Sequence, residues 1–550
     1  MFTIKVKYKN NIYPYPKDST LLEISKQFKD EYKYDIIVAT LNNKLTELNA
    51  KVEKDCTIDF FDISHLLGNR VYERGLVYLY TKAVRDVLKS DVLIEHSIDR
   101  GLYTTLVSDA EVTDDLVLKI KNRMNELVNL KIPFEKLSVS RIEAIEYFEA
   151  NKQNDIAESL RYISNTYVNL YRLDNSYDYL YGEMPLDTSY LKCFELTRVE
   201  SKGIVLRYPN LYLSCDMAPY KHHDKLFHEF ENHSEWCSKL NLNNVSDLNK
   251  TISSGEVNDL IYMCEIEQNS RLVEIAKTIN TNPNLKIVLI AGPSSSGKTT
   301  TSKKLCLYLR SMGLFPHQIS VDDYFLDRDK TPLREDGTPD FESLAAINID
   351  LFNEHLRKLL NYEEAQLPRY NFLTGKMELT KNRLKLGEKD ILVIEGLHAL
   401  NDELTKTIES NRKYKIYISP LTNISLDNHN RISTSDNRLL RRMIRDNQYR
   451  GYKADVTLSK WQDVREGEEK YVFPYQDLAD TVFNTSLVYE LGVLRLYAEP
   501  LLFSVGEDNQ YYGEAIRLLN ILRNVLPITS DRIPLDSIIR EFIGDSYFRD

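Results

Sequence analysis

Residues 287–299 read IVLIAGPSSSGKT and decide the fold of the C-terminal half of this 550-residue chain. An apolar strand leads directly into the pattern G-x-x-x-x-G-K-[ST], which begins at Gly292 and ends at Thr299, and good helix formers follow. The glycines allow the backbone to curl until several N–H groups point at phosphate oxygens, and the helix adds its positive N-terminal end. This order of strand, loop and helix predicts a phosphate-binding P-loop.

Each part of the loop has an expected role. Lys298 would reach the β- and γ-phosphates of a nucleotide, and the hydroxyl of Thr299 would bind Mg²⁺. A Gly/Ser turn with a chance lysine is the alternative, and the strand and helix on either side argue against it. The residues predicted to bind the nucleotide are Gly292, Pro293, Ser294, Ser295, Ser296, Gly297, Lys298, Thr299 and Thr300.

Strands and helices alternate from residue 286 onward. The apolar segments KIVLIAG, HQISVDD, DILVIEG and YKIYISP are separated by helical patterns, one starting at Lys298 and one near residues 349–360. Such alternation predicts an α/β domain whose parallel sheet is covered by helices on both faces. We expect this domain, with a C-terminal helical extension, to occupy residues 286–550, after a helical linker over residues 251–285.

Three acids stand where two of these strands end. Asp322 and Asp323 close the segment HQISVDD, and Glu395 closes DILVIE. Ligands of parallel α/β sheets bind beyond the carboxyl ends of the strands. A carboxylate of the aspartate pair can accept the proton of an attacking hydroxyl there, and Glu395 would hold Mg²⁺. An aspartate pair that caps a loop and a solvated strand-end glutamate are the alternatives.

Four arginines recur in DNRLLRRMIRD, residues 436–446, at positions i, i+3, i+4 and i+7. On a helix they would share one face, where their charges repel each other unless an anion lies opposite. Triphosphate and transition-state charge suit guanidinium groups. A surface helix with ion pairs to Asp436 and Asp446 is the alternative. We expect Arg442 and Arg445 to act in catalysis and Arg438 and Arg441 to bind the nucleotide.

The region of about 286–490 resembles the uridine kinase and phosphoribulokinase family of P-loop kinases. The resemblance rests on GPSSSGKTT, VDDYF, PDF, PRYNF, IEG, DNRLLRRMIRD with Arg450-Gly451, and the AD of Ala479-Asp480, all in the family's order. It implies ATP and Mg²⁺ as cofactors, Asp322 as catalytic base and a lid formed by residues 438–450. The residues it implies at the acceptor are Asp322, Tyr324, Asp340, Tyr370, Asn371 and Arg450.

One departure bears on the acceptor. Uridine kinases continue past the aspartate of their YDF motif into a His and an Arg that read the pyrimidine, whereas this chain has Asn371 followed by LTGKM. The resemblance therefore implies transfer of the γ-phosphate of ATP to a hydroxyl of a nucleoside-like substrate. Another nucleoside, or another sugar-like alcohol, remains an alternative acceptor.

The N-terminal half has a different pattern. Residues 1–62 read as strand, turn, strand, helix and short strands, with Phe2, Ile4, Val6 and Tyr8 alternating, which predicts a small β-grasp module. The segments VYERGLVYLYTKAVRDVL and TDDLVLKIKNRMNELVNL predict helices within a mixed α+β region, residues 63–250.

These residues resemble the TGS module and the editing domain of threonyl-tRNA synthetases. The resemblance rests on IDRGLY, RMNEL and YDYLYGEMPLDTSYLKCFEL, in that order. In its register, the catalytic H-x-x-x-H positions of the editing domain fall at Arg74 and Tyr78, and a later Cys and His at Leu180 and Met184. We therefore expect a degenerate editing-like module without hydrolytic activity.

The composition, with 42% apolar and 28% charged residues, is that of a soluble protein of several domains. A net charge of −11 disfavours general nucleic-acid binding, although tRNA contact through the N-terminal half stays open. The six cysteines form no close pairs, and no segment approaches the roughly 18 apolar residues of a membrane span. We expect a cytoplasmic protein with no membrane partner, while homo-oligomer formation stays open.

Two other functions compete with a small-molecule kinase. The chain could be an RNA-associated protein in which nucleotide binding is regulatory, or a scaffold with a silent nucleotide site. Phosphoryl transfer to a hydroxyl needs a base at the strand end and cationic groups opposite the phosphates, and the sequence offers both. It therefore favours the kinase.

Overall fold

A mixed sheet with one short helix opens the computed structural model, which describes residues 3–199, 203–217, 219–334, 337–371, 374–422 and 424–548. Phe2, Phe372 and Leu373 of the predicted motifs lie outside these ranges. The elements are strands β1 (Thr3–Tyr8), β2 (Asn11–Pro16), β3 (Ser19–Thr20), β4 (Val38–Leu41), β5 (Lys44–Thr46), β6 (Lys51–Val52) and β7 (Cys56–Phe61), and helix α1 (Leu21–Ser25).

Five of these strands form a sheet in the order β2-β1-β7-β4-β5, in which β1 and β7 run parallel and the other pairs antiparallel. Thr20 begins helix α1: its hydroxyl accepts from the N–H of Glu23, whose carboxylate accepts from the N–H of Thr20. The predicted order of strand, turn, strand, helix and strands is therefore present.

Residues 66–207 pack around one long helix, α2. The elements from here to residue 253 are α2 (Leu66–Leu88), β8 (Val92–Ile98), β9 (Gly101–Leu106), α3 (Asp114–Leu130), β10 (Glu135–Ser140), α4 (Arg141–Ala150), α5 (Asn154–Arg161), β11 (Tyr167–Leu173), β12 (Ser176–Asp178), β13 (Glu195–Val199), β14 (Gly203–Arg207), α6 (Asp224–Lys239) and α7 (Val245–Ser253). Two sheets, β13-β14-β9-β8 and β10-β11-β12, accompany the helices. Both predicted helices are present, as α2 and α3, and Thr113 caps α3.

The C-terminal half is built on a parallel sheet. Its elements are α8 (Val257–Thr281), β15 (Ile287–Ala291), α9 (Lys298–Ser311), β16 (Phe315–Ser320), α10 (Ile349–Leu360), β17 (Ala365–Asn371), β18 (Lys376–Leu384), β19 (Asp390–Glu395), β20 (Lys413–Ser419), α11 (Thr434–Arg450), α12 (Ala454–Tyr471), β21 (Thr481–Asn484), α13 (Glu490–Phe503), α14 (Tyr512–Leu522) and α15 (Arg540–Ile543). The strand order is β16-β19-β15-β20-β21, and every pair is parallel. The predicted parallel α/β fold is thus confirmed.

Counted from β15 along the chain, the strands of this sheet lie in the order 2-3-1-4-5. The P-loop strand β15 is therefore central, with β19 on one side and β20 on the other. Because all strands point the same way, the residues that follow β15, β16 and β19 meet at one edge of the sheet. This geometry brings the P-loop and the strand-end acids together.

Helix α8 packs against the C-terminal half along its whole length. Its second half buries Leu272 and Ile279 with residues of β15 and α9. Its first half buries Leu260 with α11, α13 and α14, and α7 joins the same core through Leu248. Helix α6 contacts both halves, since Phe227 packs with Ile98 and Tyr103, whereas Cys237 lies in the core that contains Leu260. The domain limits at residues 250 and 285 stay predictions. In the described ranges, no helix is long and apolar enough to cross a membrane.

Candidate active site

The predicted P-loop joins the central strand to α9, and its two glycines are needed for its shape. A Cβ on Gly292 would lie 2.1 Å from the carbonyl oxygen of Ile418, so only glycine fits beside strand β20. Gly297 precedes α9 with φ +85°, a conformation that side chains with a Cβ rarely adopt. The first turn of α9 thereby presents N–H groups that have no partner within the helix itself.

The loop contains polar groups that suit an anion. Within the described residues, the buried hydroxyls of Ser295 and Ser296 have no hydrogen-bond partner. The ammonium of Lys298 donates to the carbonyl oxygens of Gly292 and Pro293, each at 2.9 Å. Burial lowers the pKa of Lys298, and the charges of Glu395 and Asp322 oppose that shift. Phosphate oxygens would supply the partners that these groups lack, so the loop fits a nucleotide.

Asp322 and Glu395 lie at the same edge of the sheet as the loop. Asp322 is in the turn that follows β16, and Glu395 ends β19 and accepts a hydrogen bond from the Ser320 hydroxyl at 3.0 Å. Burial raises the pKa of Asp322, against the charge of Lys298. Burial, and then the charge of Asp322, raise the pKa of Glu395 to about 7. Two acids that repel each other beside the first turn of α9, which carries Thr299, suit a divalent cation such as Mg²⁺.

The neighbouring aspartate has another partner. The Oδ1 atom of Asp323 accepts from the backbone N–H of Tyr370 at 3.2 Å, which ties the turn after β16 to strand β17. The charge of Lys298 acts on Asp322, whereas Arg369 is the cation that acts on Asp323. Only Asp322 of the pair therefore faces the loop.

The arginine helix α11 differs from the prediction, because protein carboxylates neutralise part of it. Arg438 is buried, pairs with Glu468 and donates to the carbonyl oxygen of Ser294 at 2.9 Å. Arg441 is fully buried and donates to Glu490 at 2.5 and 2.8 Å. The guanidinium of Arg441 is thus held by Glu490 in the protein interior, and no contact of it with the P-loop is seen among the described residues.

The other arginines surround a single acid. Arg442, Arg445 and Arg450 lie 3.3, 3.0 and 3.3 Å from the carboxylate of Asp446. Arg442 also donates to the hydroxyl of Ser294 in the P-loop at 2.6 Å. Burial lowers the pKa of Arg442, and repulsion from Arg445 and Arg450 adds to this. Three guanidinium groups with one carboxylate leave an excess of positive charge beside the loop, so the ion pair with Asp446 and an anion-binding role coexist.

Asp436, the other acid of the alternative interpretation, takes no part in this cluster. It binds Arg517 at 2.5 Å and lies 3.8 Å from Arg70. These contacts join α11 to α14 and to α2 of the N-terminal half.

Two residues predicted at the acceptor have contacts with other parts of the domain. The hydroxyl of Tyr324 is buried 3.1 Å from His355, and its ring packs on Phe352. Asp340 accepts from the hydroxyl of Tyr471 at 2.8 Å. The structure thus places Tyr324 in the core and Asp340 against α12.

The remaining residues predicted at the acceptor are Tyr370, Asn371 and Arg450. Tyr370 and Asn371 are on β17, where Asn371 donates to Glu378 of β18 at 3.2 Å. Arg450 lies close enough for its charge to lower the pKa of Asp322. The structure therefore brings together Lys298, Asp322, Glu395, Arg442, Arg445 and Arg450 with the P-loop.

Glu342 is a site residue that the sequence did not reveal. Burial and the charge of Glu468 raise its pKa to about 7, and Arg442, Asp322 and Lys298 all act on it. A Cβ on Gly467 would lie 2.9 Å from Glu342, so this glycine leaves room for it. The only sequence signal was its position directly after the PDF motif, residues 339–341.

None of the four editing-domain positions holds a histidine or a cysteine. Arg74 donates to the carbonyl oxygen of Glu183 at 2.6 Å, and the Tyr78 hydroxyl donates to two carbonyl oxygens at 2.8 and 3.0 Å. Leu180 and Met184 are buried in the core around α2. All four side chains have packing or structural contacts.

A cavity of about 2320 Å³ separates the N-terminal sheets from α11 and α14. Basic and aromatic side chains, among them Arg74, Arg431 and Tyr208, line part of it. Within the described residues the Nε atom of Arg431 is buried without a hydrogen-bond partner. Arg438 lines the cavity as well and contacts the P-loop, so α11 is the wall between the two spaces.

Comparisons with known proteins match separate parts of the chain. A "Threonine--tRNA ligase" of Carboxydothermus hydrogenoformans matches the N-terminal half at 25% identity over 199 residues, 36% of this chain and 31% of that enzyme. A solved structure described as a possible uridine kinase from Bacillus stearothermophilus has 21% identity and a TM-score of 0.26, and the match covers 40% of this chain and 100% of that one.

A "Uridine kinase" of Anoxybacillus flavithermus is 25% identical over 197 residues, which are 36% of this chain and 84% of that enzyme. The model of the "Phosphoribulokinase / Uridine kinase family" matches residues 287–489, which contain the P-loop, Asp322, Glu395 and the arginine helix. Residues 287–489 of this chain are therefore similar to the phosphoribulokinase/uridine kinase family.

Proposed function

We propose that this protein transfers the γ-phosphate of ATP to a hydroxyl of a nucleoside, with Mg²⁺ as cofactor. The observation that supports it best is the position of Asp322, across the end of the sheet from Lys298 and the P-loop. A base in that position serves transfer to an alcohol, since it can take the hydroxyl proton as the oxygen attacks phosphorus.

Different residues of the site would have different roles in the transfer. Backbone N–H groups of the loop and the first turn of α9 bind the phosphates, and Lys298 leaves its loop carbonyls to contact the transferring group. Asp322 accepts the proton, and the cluster of Arg442, Arg445 and Arg450 stabilises charge on the phosphoryl oxygens. Mg²⁺, when held by Thr299 and Glu395, supplies further charge neutralisation at the phosphates.

Glu342 and Asp322 favour a hydroxyl-bearing, uncharged acceptor over an anionic one. In addition to burial, the charge of Asp322 raises the pKa of Glu395, and the charge of Glu342 opposes the lowering of the pKa of Arg442 by burial. Carboxylates accept hydrogen bonds from sugar hydroxyls and repel acids. The uridine kinase relative points to a nucleoside, whereas this chain has Asn371 and then LTGKM where uridine kinases continue into a His and an Arg that read the pyrimidine, so we leave the base unassigned.

A screen of nucleosides and sugars with ATP and Mg²⁺, followed as ADP release, tests the proposal. We expect ADP release above the background hydrolysis with at least one nucleoside, and a phosphorylated product detectable by mass spectrometry. Release that is the same with and without every alcohol would contradict a phosphotransferase.

A regulatory, RNA-associated function is the second candidate. The match to a threonine–tRNA ligase and the partly basic cavity support it. If it is correct, ATP turnover should depend on added RNA and not on nucleosides. The same ADP assay, with tRNA in place of the nucleoside, separates the two.

Substitution of the lid arginines should affect the reaction more than ground-state binding. Arg442→Ala or Arg445→Ala removes a guanidinium that acts on charge developing during transfer, so we expect kcat to fall about 10²-fold. ADP affinity should change much less. Steady-state kinetics and ADP titration measure both quantities, and Arg310→Ala at the exposed end of α9 is the control. Equal losses in kcat and ADP affinity would indicate ground-state binding alone.

The editing-like module should not hydrolyse mischarged tRNA. Neither Leu180 nor Met184 can move a proton, and the charge of Arg74 would repel a metal ion. Full-length protein is incubated with mischarged threonine tRNA while release of the amino acid is followed. We expect the spontaneous rate. Faster release that is altered by Arg74→Ala would show that the module is active.

A further inference from the structure

The phosphate-binding helix α9 already has an anion at its N-terminus. The backbone N–H of Thr300, in the first turn, donates to the carboxylate of Glu541 at 3.0 Å. First-turn N–H groups have no partner within their own helix, and in a P-loop they are the donors that phosphate oxygens use. Glu541 therefore occupies a position that a bound nucleotide needs.

Glu541 comes from α15, 241 residues further along the chain, and the fold fixes its approach. Ile538 lies so close to Gly297 that a Cβ on this glycine would be 2.7 Å from it. Phe542 is fully buried, with the guanidinium of Arg441 5.0 Å above its ring. The backbone on both sides of Glu541 is thus packed against the P-loop and α11, so only rotation of the Glu541 side chain can free the Thr300 N–H.

A second carboxylate in the loop is held differently. The N–H of Ser294 donates to Glu468 at 2.8 Å, but Glu468 is itself paired with Arg438 and lies 3.1 Å from Arg465. Glu541 has no ion pair with any residue that the structure describes. It is half-buried, and its charge acts on Lys298. Of the two acids, Glu541 is therefore the one that can move away from its N–H donor without breaking an ion pair.

We propose that Glu541 competes with the phosphates of the donor nucleotide for the N-terminus of α9, and so sets how tightly the P-loop binds nucleotide. A carboxylate and a phosphate cannot share one N–H donor, and their negative charges repel each other. Glu541 lies outside residues 287–489, so this competitor belongs to the C-terminal extension and not to the matched family region. The inference rests on the proposed function only in that the donor is a nucleotide.

Nucleotide affinity of the full-length protein, measured by calorimetric titration with ATP and Mg²⁺, tests the competition. Glu541→Gln keeps the shape of the side chain and removes its charge, and Glu541→Ala removes both. We expect both variants to bind ATP about 3- to 30-fold more tightly, the size of a charge effect at a partly buried helix N-terminus. Asp536→Asn, in the same segment but paired with Lys304 at 3.1 Å, is the control and should bind as the wild type does.

The melting temperature without nucleotide separates competition from a purely structural cap. A structural cap predicts a lower melting temperature for Glu541→Ala together with unchanged or weaker ATP binding, and that result overturns the proposal. Equal affinity in all variants of a protein that still phosphorylates a nucleoside also overturns it, and leaves the proposed function intact. Tighter binding in both Glu541 variants without transfer to any alcohol supports the competition and contradicts the proposed function.

Discussion

Replacement of Lys298 by alanine is expected to lower the rate of phosphoryl transfer about 10²- to 10³-fold, the effect of removing one preorganised donor from a charged transition state. The reason lies in the position of the ammonium. It is half-buried in the loop, its hydrogen-bond partners in the described part of the chain are the carbonyl oxygens of Gly292 and Pro293, and it lies near the charges of Glu395 and Asp322. It is therefore free to move onto a phosphate without breaking an ion pair.

The fold should survive this change. Lys298 makes no ion pair within 4.0 Å in the described part of the chain, so alanine leaves no carboxylate unpaired. Circular dichroism and the melting temperature check the fold, and single-turnover kinetics with ATP check the chemical step. Arg310→Ala, at the other end of α9, controls for changes to the helix. Turnover close to that of the wild type would mean that the loop binds no transferring phosphate.

Local patterns were sufficient to predict the parallel sheet. Strand β15 is buried at every position and β19 at most, so each reads as a continuous apolar run. The hairpin β17–β18 was not predicted as strands, because β18 has the sequence KMELTKNRL and is largely exposed. A strand without apolar alternation has no periodic signal for sequence analysis to find.

The spacing of the arginines on α11 does not predict their ion-pair partners. The i, i+3, i+4, i+7 pattern correctly predicts a helix over 434–450, yet it does not predict which acids fold against it. Glu468 and Glu490 lie 30 and 49 residues along the chain from their arginine partners. Glu468 is on α12, and Glu490 begins α13. Pairing over such distances depends on tertiary packing, so the sequence could not separate buried ion pairs from free guanidinium groups.

The segment around Asp340 shows that sequence analysis also fails to predict the directions of neighbouring side chains. The motif around Asp340 was found, but the structure turns Asp340 towards Tyr471 and brings Glu342 towards Asp322 and Lys298. Neighbouring side chains in an irregular segment point in directions that no periodicity specifies. The contact of Glu541 with Thr300 is a more distant example, since no motif links the C-terminal extension to the P-loop.

Asp322→Asn should lower kcat about 10²- to 10⁴-fold, the usual contribution of a general base, while ATP binding is retained. An asparagine fills the same space but cannot accept the proton of the attacking hydroxyl. The matched control is Asp323→Asn, because Asp323 is bonded to the N–H of Tyr370 and faces away from Lys298. A larger loss in Asp323→Asn than in Asp322→Asn would show that the turn after β16 is oriented differently during catalysis.

The pH dependence gives an independent test of the same base. A general base acts only when ionised, and burial raises the pKa of Asp322 above the usual value of about 4 for aspartate. The acidic limb of kcat/KM should therefore lie at higher pH than an ordinary aspartate would give. Asp323→Asn should keep this limb unchanged. Full activity down to pH values near 4 would exclude a buried carboxylate as the base, and would transfer the role of proton acceptor from the protein to the phosphate itself.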